Sequence, residues 1–347
     1  MPGPFVHAID PVLGEAGGVY FWWYGLSYTL GFLELFLFLR KRRGVIGLTL
    51  PEVYSLTLLF AIGVLVGGRA IEVAFDEWAF YRDHPQLIPA YWLGGMATHG
   101  LLLGAAAGTW IFCLRAGKPL RDVADALVIP GAFLLGMGRI GNFIDGQIVG
   151  RTTDEWWGVK FPDAEGFRHP VVLYDAGKNL LLIPLLLWVR RRRPIPGAMS
   201  AHFIFWYAFL RIFVDLFRDY PSHRVAIGTG QLLNLVMASL GLLLIARSEW
   251  RWRHRGQVLN CHFFQGVAPT PPWGQGLKKV AIQDLAPQRA ALAGVLVFCL
   301  TMPGNWTQDV PGRYGKRHPG MRHSRLYPAI DTAPRGVSAR LGSRSTP

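Results

Sequence analysis

Residues 126–151 read ALVIPGAFLLGMGRIGNFIDGQIVGR, an apolar run that passes directly into a polar, glycine-rich stretch. The run 126–137 has the composition of a segment inside a lipid bilayer. Residues 138–151, in contrast, contain two arginines, an asparagine, an aspartate, a glutamine and four glycines. Ionisable side chains at membrane depth cost free energy and mostly face a protein interior or a wet cavity. This stretch therefore predicts a membrane helix that ends in a polar site.

The rest of the chain also has the composition of a membrane protein. Of its 347 residues 51% are hydrophobic, and its 13 Trp and 21 Phe suit lipid-facing and interfacial surfaces. A formal net charge of +14 also occurs in nucleic-acid-binding proteins, but here the basic residues form short groups between apolar segments. The groups lie at 40–43, 115–121, 190–193 and 247–255. We therefore predict the lipid bilayer as a partner and no nucleic acid.

Seven segments approach the roughly 20 apolar residues that a transmembrane helix needs. They lie at 19–39, 52–75, 91–114, 122–144, 171–189, 198–217 and 229–246. The four basic groups contain 15 Lys and Arg residues, whereas the loops that alternate with them contain 6. Because cytoplasmic loops retain Lys and Arg, this asymmetry predicts an external N-terminus and a cytoplasmic C-terminus. The predicted fold is an all-α integral membrane protein with seven transmembrane helices.

This topology divides the chain into three parts. Residues 1–18 are predicted to be an external N-terminal segment, and residues 19–246 a seven-span domain with an external arm at 145–170. Residues 247–347 are basic and rich in Pro and Gly, and their one apolar patch, 292–300, is too short to span a bilayer. We expect this part to be a disordered cytoplasmic tail.

The three cysteines lie far apart, at Cys113, Cys261 and Cys299, and none has CxxC spacing. This spacing argues against a disulfide framework or a structural zinc site. No cluster of metal ligands is visible in the sequence, and we expect neither a metal nor a cofactor.

Several ionisable or polar residues lie within the predicted spans. They are Arg69, His99, Arg139, Asn142, Arg211 and Asp215. Arg218 follows Arg211 and Asp215 at spacings that place all three on one face of a helix. These residues have two interpretations: a site that binds an anion, or an ion pair that ties helices together, with Arg139 snorkelling to the interface.

Glycines accompany these polar residues. Gly94 and Gly95 precede His99, and Gly100 and Gly104 follow it. Glycine lets the backbone approach a ligand closely, but small residues also allow membrane helices to pack tightly. Because a guanidinium is suited to bidentate capture of phosphate, we favour a polar pocket that binds an anionic lipid headgroup.

Six motifs resemble those of the prolipoprotein diacylglyceryl transferases, in the family's order. The first is GRIGNFIDGQIVG (138–150), which is similar to the signature G-R-x-G-N-F-x-N-x-E-x-x-G. The others are FWWYGLSYTLGF (21–32), GGR (67–69), GGMATHG (94–100), RHPVVLY (168–174) and YAFLRIFVDLFR (207–218). The resemblance implies an enzyme of the bacterial cytoplasmic (inner) membrane that crosses it several times.

The resemblance also implies a reaction. The family moves a diacylglyceryl group from phosphatidylglycerol to the lipobox cysteine in the signal peptide of a prolipoprotein, which leaves a thioether and releases glycerol phosphate. Because the donor is an anionic phospholipid, we expect Arg139 and Arg211 to hold its phosphate and stabilise the departing charge. His99 is the candidate base for the thiol, since an unperturbed imidazole suits proton transfer at neutral pH. The alternative for His99 is a packing histidine hydrogen-bonded to a carbonyl. By this resemblance Tyr24, Asn142, Gly150 and Tyr207 are expected to shape the pocket, and Asp215 and Arg218 to close it or orient an arginine.

The chain departs from the family's pattern at four positions. Asp145 and Gln147 stand where the signature has Asn and Glu, and Asp175 and Asp215 stand where the family usually has Glu. The aspartates keep the charge but shorten the reach, whereas an amide cannot pair ionically with an arginine. These departures leave a non-catalytic lipid-binding paralogue as one alternative. The other is a small-anion transporter, which also fits glycine-broken helices and buried arginines.

Overall fold

A computed structural model describes residues 5–162, 164–192, 194–219, 229–255, 285–304, 317–323 and 326–327. Helices make up most of this part of the chain. They are α1 (Trp23–Ile46), α2 (Leu50–Ile71), α3 (Trp78–Asp83), α4 (Thr98–Ala116), α5 (Leu120–Ile144), α6 (Val171–Arg191), α7 (Ala198–Asp215), α8 (Thr229–Arg255) and α9 (Ala286–Leu300). A π-helical turn, Glu72–Asp76, continues α2.

Four short strands qualify the prediction of an all-α chain. β2 (Val12–Ala16) and β3 (Val19–Trp22) form an antiparallel hairpin before α1. β1 (Phe5–Val6) pairs in parallel with β4 (Val159–Lys160), which joins the N-terminal segment to the arm between α5 and α6. The long elements are nevertheless all helical.

In the part of the chain that the structure describes, five helices are long and apolar enough to cross a membrane: Leu50–Asp76, Thr98–Ala116, Leu120–Ile144, Val171–Arg191 and Gly230–Arg251. The remaining two predicted spans correspond to α1 and α7. The predicted start at residue 91 is seven residues too early, because Gly94 and Gly95 adopt φ values of 84° and 83°. A helix cannot continue through such angles, and α4 begins at Thr98.

Small residues account for the packing of α2 against α4. Gly63 and Gly67 of α2 lie against Gly100 and Gly104 of α4, and a side chain at any of these positions would collide with the facing backbone. The packing interpretation is therefore confirmed for Gly100 and Gly104. Gly94 and Gly95 differ from them because they form the non-helical approach to α4.

The described parts of the tail depart from the expected disorder. α8 continues to Arg255, and residues 286–300 form α9. This patch is ordered because it packs against α1 and α2, with Leu292 and Cys299 buried in the main apolar core. The sequence of a short segment shows how long its apolar stretch is. It does not show whether other helices of the fold offer an apolar surface against which the segment can pack.

The helices that carry the polar motifs pack next to one another. α5 contacts both α1 and α6, α6 contacts α7, and α7 contacts α8. An apolar cluster that includes Ile129, Leu182 and Met199 joins α5, α6 and α7. This packing brings the end of α5, the start of α6 and the end of α7 together.

Candidate functional site

Asp175 is the centre of the polar cluster. It lies in the second turn of α6, after the RHPVVLY motif, and its side chain is 2% exposed. Its Oδ2 is 2.7 Å from Nε of Arg139 and also pairs with Arg211. Its Oδ1 is 3.0 Å from Nζ of Lys178. Cations from α5, α6 and α7 therefore surround a single buried carboxylate.

Arg211 has a second acidic partner. Its Nε is 3.1 Å from Oδ1 of Asp215, one turn further along α7. Asp215 also accepts a hydrogen bond on Oδ2 from Nδ2 of Asn234 in α8, at 3.2 Å. Both aspartates reach Arg211 although they are one methylene shorter than Glu. The expected pair of Arg211 and Asp215 on one helical face is confirmed.

Arg139 is held by neutral groups as well as by Asp175. Its Nη2 donates to Oγ1 of Thr98 at 2.9 Å, and its Nη1 donates to Oδ1 of Asn142 at 3.2 Å. Its side chain is only 13% exposed. The arginine points into the protein, so the snorkelling interpretation is wrong. The amide of Asn142 in turn donates to Oε1 of Gln147 at 3.3 Å.

His99 lies at the start of α4, next to Thr98, and is partly buried. The preceding residue, Thr98, accepts a hydrogen bond from Arg139, so His99 lies near the cluster around Asp175. Within the described part of the chain, no residue forms a hydrogen bond with its ring. Its role as the base for the thiol stays a prediction.

Two of the predicted tyrosines border the cluster. The hydroxyl of Tyr24 is 3.0 Å from that of Tyr28, and both rings are buried within the field of Arg139. The ring centre of Tyr207 is 3.7 Å from Nζ of Lys178. The aromatic rings thus form apolar walls around the cations.

Three residues singled out in the sequence lie elsewhere. Gly150 and Arg218 pair through their backbones, where the arm meets the end of α7. The prediction that Arg218 shares a helical face with Arg211 is wrong, because α7 ends at Asp215. Gly150 is tightly enclosed, since a Cβ there would lie 2.5 Å from the carbonyl oxygen of His169. It serves the junction with the arm and does not line the polar cluster.

Arg69 is the third such residue. Its Nε donates to the carbonyl of Ile88 at 2.8 Å, its Nη2 donates to that of Leu87 at 2.9 Å, and its Nη1 donates to Gly94. This arginine therefore fixes the loop that leads to α4. No group of His, Cys, Asp or Glu among the described residues could hold a metal ion.

One protein family matches the region of the chain that contains this cluster. The model for prolipoprotein diacylglyceryl transferases matches residues 11–247, which include every residue of the polar cluster. The chain belongs to the prolipoprotein diacylglyceryl transferase family.

Individual relatives from this family are similar over the same region. The phosphatidylglycerol--prolipoprotein diacylglyceryl transferase of Oleidesulfovibrio alaskensis is 38% identical over 250 residues, which cover 69% of this chain and 92% of the relative. The protein of the same name from Geobacter sulfurreducens is 39% identical over 249 residues, covering 68% and 94%. That of Aromatoleum aromaticum is 36% identical over 255 residues, covering 69% and 96%.

The polar cluster around Asp175 contains residues that the sequence analysis missed. Lys178 is 6% exposed and reaches both Asp175 and Tyr207. Asn234 is 4% exposed and anchors Asp215. Lys178 could have been found, because an ionisable residue within the apolar span 171–189 is itself a sign of function. Asn234 is uncharged, as is the nearby Gln231, so no comparable signal marks it.

Gln147 stands where the family signature has Glu, and its partner is another amide. It is buried and accepts from Asn142, while Asp175 holds both Arg139 and Arg211. The substitution of Glu by Gln therefore leaves both arginines with an acidic partner. Asp145, the neighbouring departure, accepts a hydrogen bond on Oδ2 from the backbone N–H of Gly304, at 2.6 Å.

Proposed function

We propose that this chain transfers the diacylglyceryl group of phosphatidylglycerol to the lipobox cysteine of prolipoproteins. The single observation that carries the proposal is the cluster of Arg139, Arg211 and Lys178 around the buried carboxylate of Asp175. A bilayer enzyme that binds an anionic phospholipid needs such cations below the lipid surface. Family membership supports the same reaction.

The charge balance of the cluster suits a phosphate. Three cations face two carboxylates, those of Asp175 and Asp215, which leaves one positive charge in excess. A lipid phosphate that approaches Arg139 and Arg211 supplies the missing negative charge. Guanidinium groups bind phosphate in a bidentate manner, and charge stabilisation at a departing oxyanion is the largest catalytic effect in many enzymes.

The reaction moves the diacylglyceryl group from a phosphate oxygen to sulfur. The cysteine sulfur of the substrate attacks the carbon of the diacylglyceryl group that is bonded to a phosphate oxygen. A C–S bond forms, the C–O bond breaks, and glycerol phosphate leaves with the electron pair. We assign His99 as the base that accepts the thiol proton, because it follows Thr98, which binds Arg139, and an imidazole suits proton transfer near pH 7.

The other residues have supporting roles. Tyr24, Asn142 and Tyr207 shape the pocket, and Asp215 orients Arg211. Gly150 and Arg218 support the junction of the arm with α7. An apolar cleft of about 590 Å³, lined by Phe143, Leu173 and Tyr174 among others, lies between the end of α5 and the start of α6. It suits the apolar part of a prolipoprotein signal peptide.

For the membrane topology we propose seven transmembrane helices, α1, α2 and α4–α8, with the N-terminus outside the bacterial inner membrane. Five of these helices have the required length and composition. Four groups of basic residues support this orientation, because in this topology they all lie on the same side of the membrane. They are at 40–43, 115–121, 190–193 and 247–255.

The test is transfer with purified full-length protein in phosphatidylglycerol micelles. A lipobox peptide is supplied, and the peptide mass and released glycerol phosphate are followed. We expect a diacylglyceryl mass shift that disappears when the peptide cysteine is replaced by serine. Bound phosphatidylglycerol without any mass shift would instead identify a lipid-binding paralogue. Anion flux in vesicles without consumption of lipid would identify a transporter.

A further inference from the structure

The C-terminal segment runs antiparallel to α1. Oγ1 of Thr29 donates to the carbonyl of Leu296 at 2.8 Å, and Gly25, one turn earlier in α1, lies against the carbonyls of Cys299 and Leu300. As residue numbers rise along α9, those of the contacting residues in α1 fall. α9 therefore leads the chain back towards the end of the molecule at which α1 begins.

The fit between α9 and the family domain is close. A Cβ at residue 25 would lie 2.7 Å from the carbonyl oxygen of Leu300, so only glycine allows this approach. Cys299 is fully buried, and the ring centres of Phe298 and Tyr91 are 5.4 Å apart. α9 packs along α1 and α2 as part of the same apolar core.

Beyond α9 the chain reaches the edge of the candidate site. The backbone N–H of Gly304 donates to Asp145, and a Cβ at 304 would lie 3.0 Å from the Tyr24 ring. Asp145 stands where the family signature has Asn. The segment itself lies beyond residue 247, where the family match ends. An unusual residue in the signature thus contacts a segment outside the family domain.

Further contacts continue along the N-terminal part of the chain. Nε2 of His318 is 3.2 Å from the carboxylate of Asp10, and Nε1 of Trp92 donates to the carbonyl of Leu326 at 2.7 Å. The rings of Tyr20 and Tyr327 are 5.4 Å apart and both are buried. These partners all precede α1 or α4 in the chain, so the described residues 304, 317–323, 326 and 327 lie at the end of the molecule where α1 starts.

From these contacts we infer that residues 285–304 are an eighth membrane-inserted segment that returns the chain to the side of the membrane on which Asp10 lies. α9 has 15 residues and is about 22 Å long at 1.5 Å per residue, and residues 301–304 carry the chain on to Asp145. This replaces the cytoplasmic tail expected from the sequence. Residues 285–304 form a fixed wall beside the site. They fill the space between α1 and α2, so substrates cannot enter the site between these two helices.

Cysteine labelling of the full-length protein in bacterial cells tests the topology. In a background without the three native cysteines, Asp10→Cys, His318→Cys and Lys41→Cys are made singly and exposed to a membrane-impermeant maleimide before and after permeabilisation. We expect residues 10 and 318 to be labelled from the same side, and residue 41 from the opposite side. Labelling of residue 318 from the side of residue 41 would overturn the inference.

The inference depends on the proposed topology in one respect only, namely which side of the membrane is external. If residues 10 and 318 are both labelled from the cytoplasm alone, the proposed orientation fails but the shared side of the two termini stands. The two failures are therefore distinguishable.

A cross-link tests the fixed wall. Asp10→Cys and His318→Cys are combined, and oxidation should join them, whereas Asp10→Cys with Lys41→Cys should remain unlinked. We expect the linked protein to retain transfer within about twofold, a change of ~0.4 kcal/mol in the barrier. A loss of transfer that a reductant reverses would show a moving gate instead. Absence of the cross-link, although both cysteines react with maleimide, would overturn the docking itself.

Discussion

Arg139 and Arg211 come from different helices and share one carboxylate oxygen, Oδ2 of Asp175. Two guanidinium groups repel each other, so their approach depends on the anion between them. Asp175 is itself buried and cannot be stabilised by water. The three residues therefore depend on one another, and removal of the charge at the centre affects both arginines at once.

Asp175→Asn should abolish transfer and destabilise the protein. Removing one partner of a buried ion pair costs about 3–5 kcal/mol, because the remaining charges stay buried. Asp175→Glu, the family's usual residue, keeps the charge and is the matched control. Transfer and the midpoint of thermal unfolding in detergent should both fall for Asn, and both should be largely retained for Glu. Equal behaviour of the two variants would show that charge at this position is unimportant.

Arg139→Ala should reduce transfer about 10²–10³-fold, the usual loss when one group that stabilises a developing oxyanion is removed. Arg139→Lys keeps the charge but lacks the planar fork that reaches Asp175, Thr98 and Asn142. We expect lysine to recover only part of the activity. Near-normal rates for the alanine variant in the micelle assay would rule out the phosphate role of this residue.

Lys178→Met should weaken the capture of phosphatidylglycerol more than the chemical step. Methionine preserves the packing against Tyr207 but removes the excess positive charge, and Asp175 keeps both arginines as partners. We expect KM for phosphatidylglycerol to rise about tenfold, equivalent to ~1.4 kcal/mol, with a smaller effect on kcat.

The control for this prediction is Lys178→Arg, which keeps the charge and should retain a KM close to that of the parent. If both variants change kcat and leave KM alone, Lys178 acts through the geometry of Asp175 and not through its charge.

Sequence patterns predicted the core of this arrangement because its charged members interrupt apolar spans. Arg139, Arg211 and Asp215 were identified on that basis, and the structure brings them together. Arg218 was misplaced because spacing cannot show where a helix ends, and α7 ends three residues before it.

The packing of α9 could not be predicted for a different reason. Its apolar patch is too short to span a bilayer by itself, and its order depends on the surface of α1 and α2. Asn234 was equally hidden, because its importance arises only from its contact with Asp215 across two helices. Such features depend on tertiary contacts, which a single sequence does not contain.

Gln147→Glu should retain transfer, whereas Gln147→Ala should reduce it. Glutamate keeps an oxygen that accepts from Asn142, while alanine leaves that buried amide without this partner, which costs about 1–3 kcal/mol. Transfer rates and thermal unfolding of the two variants provide the comparison. An increase of about tenfold or more for Gln147→Glu, a gain of ~1.4 kcal/mol, would show that the natural glutamine limits this enzyme.

His99→Ala should lose most transfer near pH 7 and recover part of it at higher pH. A free thiol has a pKa of about 8.5, so the peptide cysteine ionises without help as the pH rises through that value. If His99 only removes the thiol proton, the ratio of parent to variant rates should shrink between about pH 7 and pH 9.5. Arg139→Ala is the control, because a guanidinium remains charged throughout and its deficit should stay constant with pH. A deficit of His99→Ala that is equally large at both ends of the range would assign the histidine to binding or positioning, and the base would have to be sought elsewhere in the site.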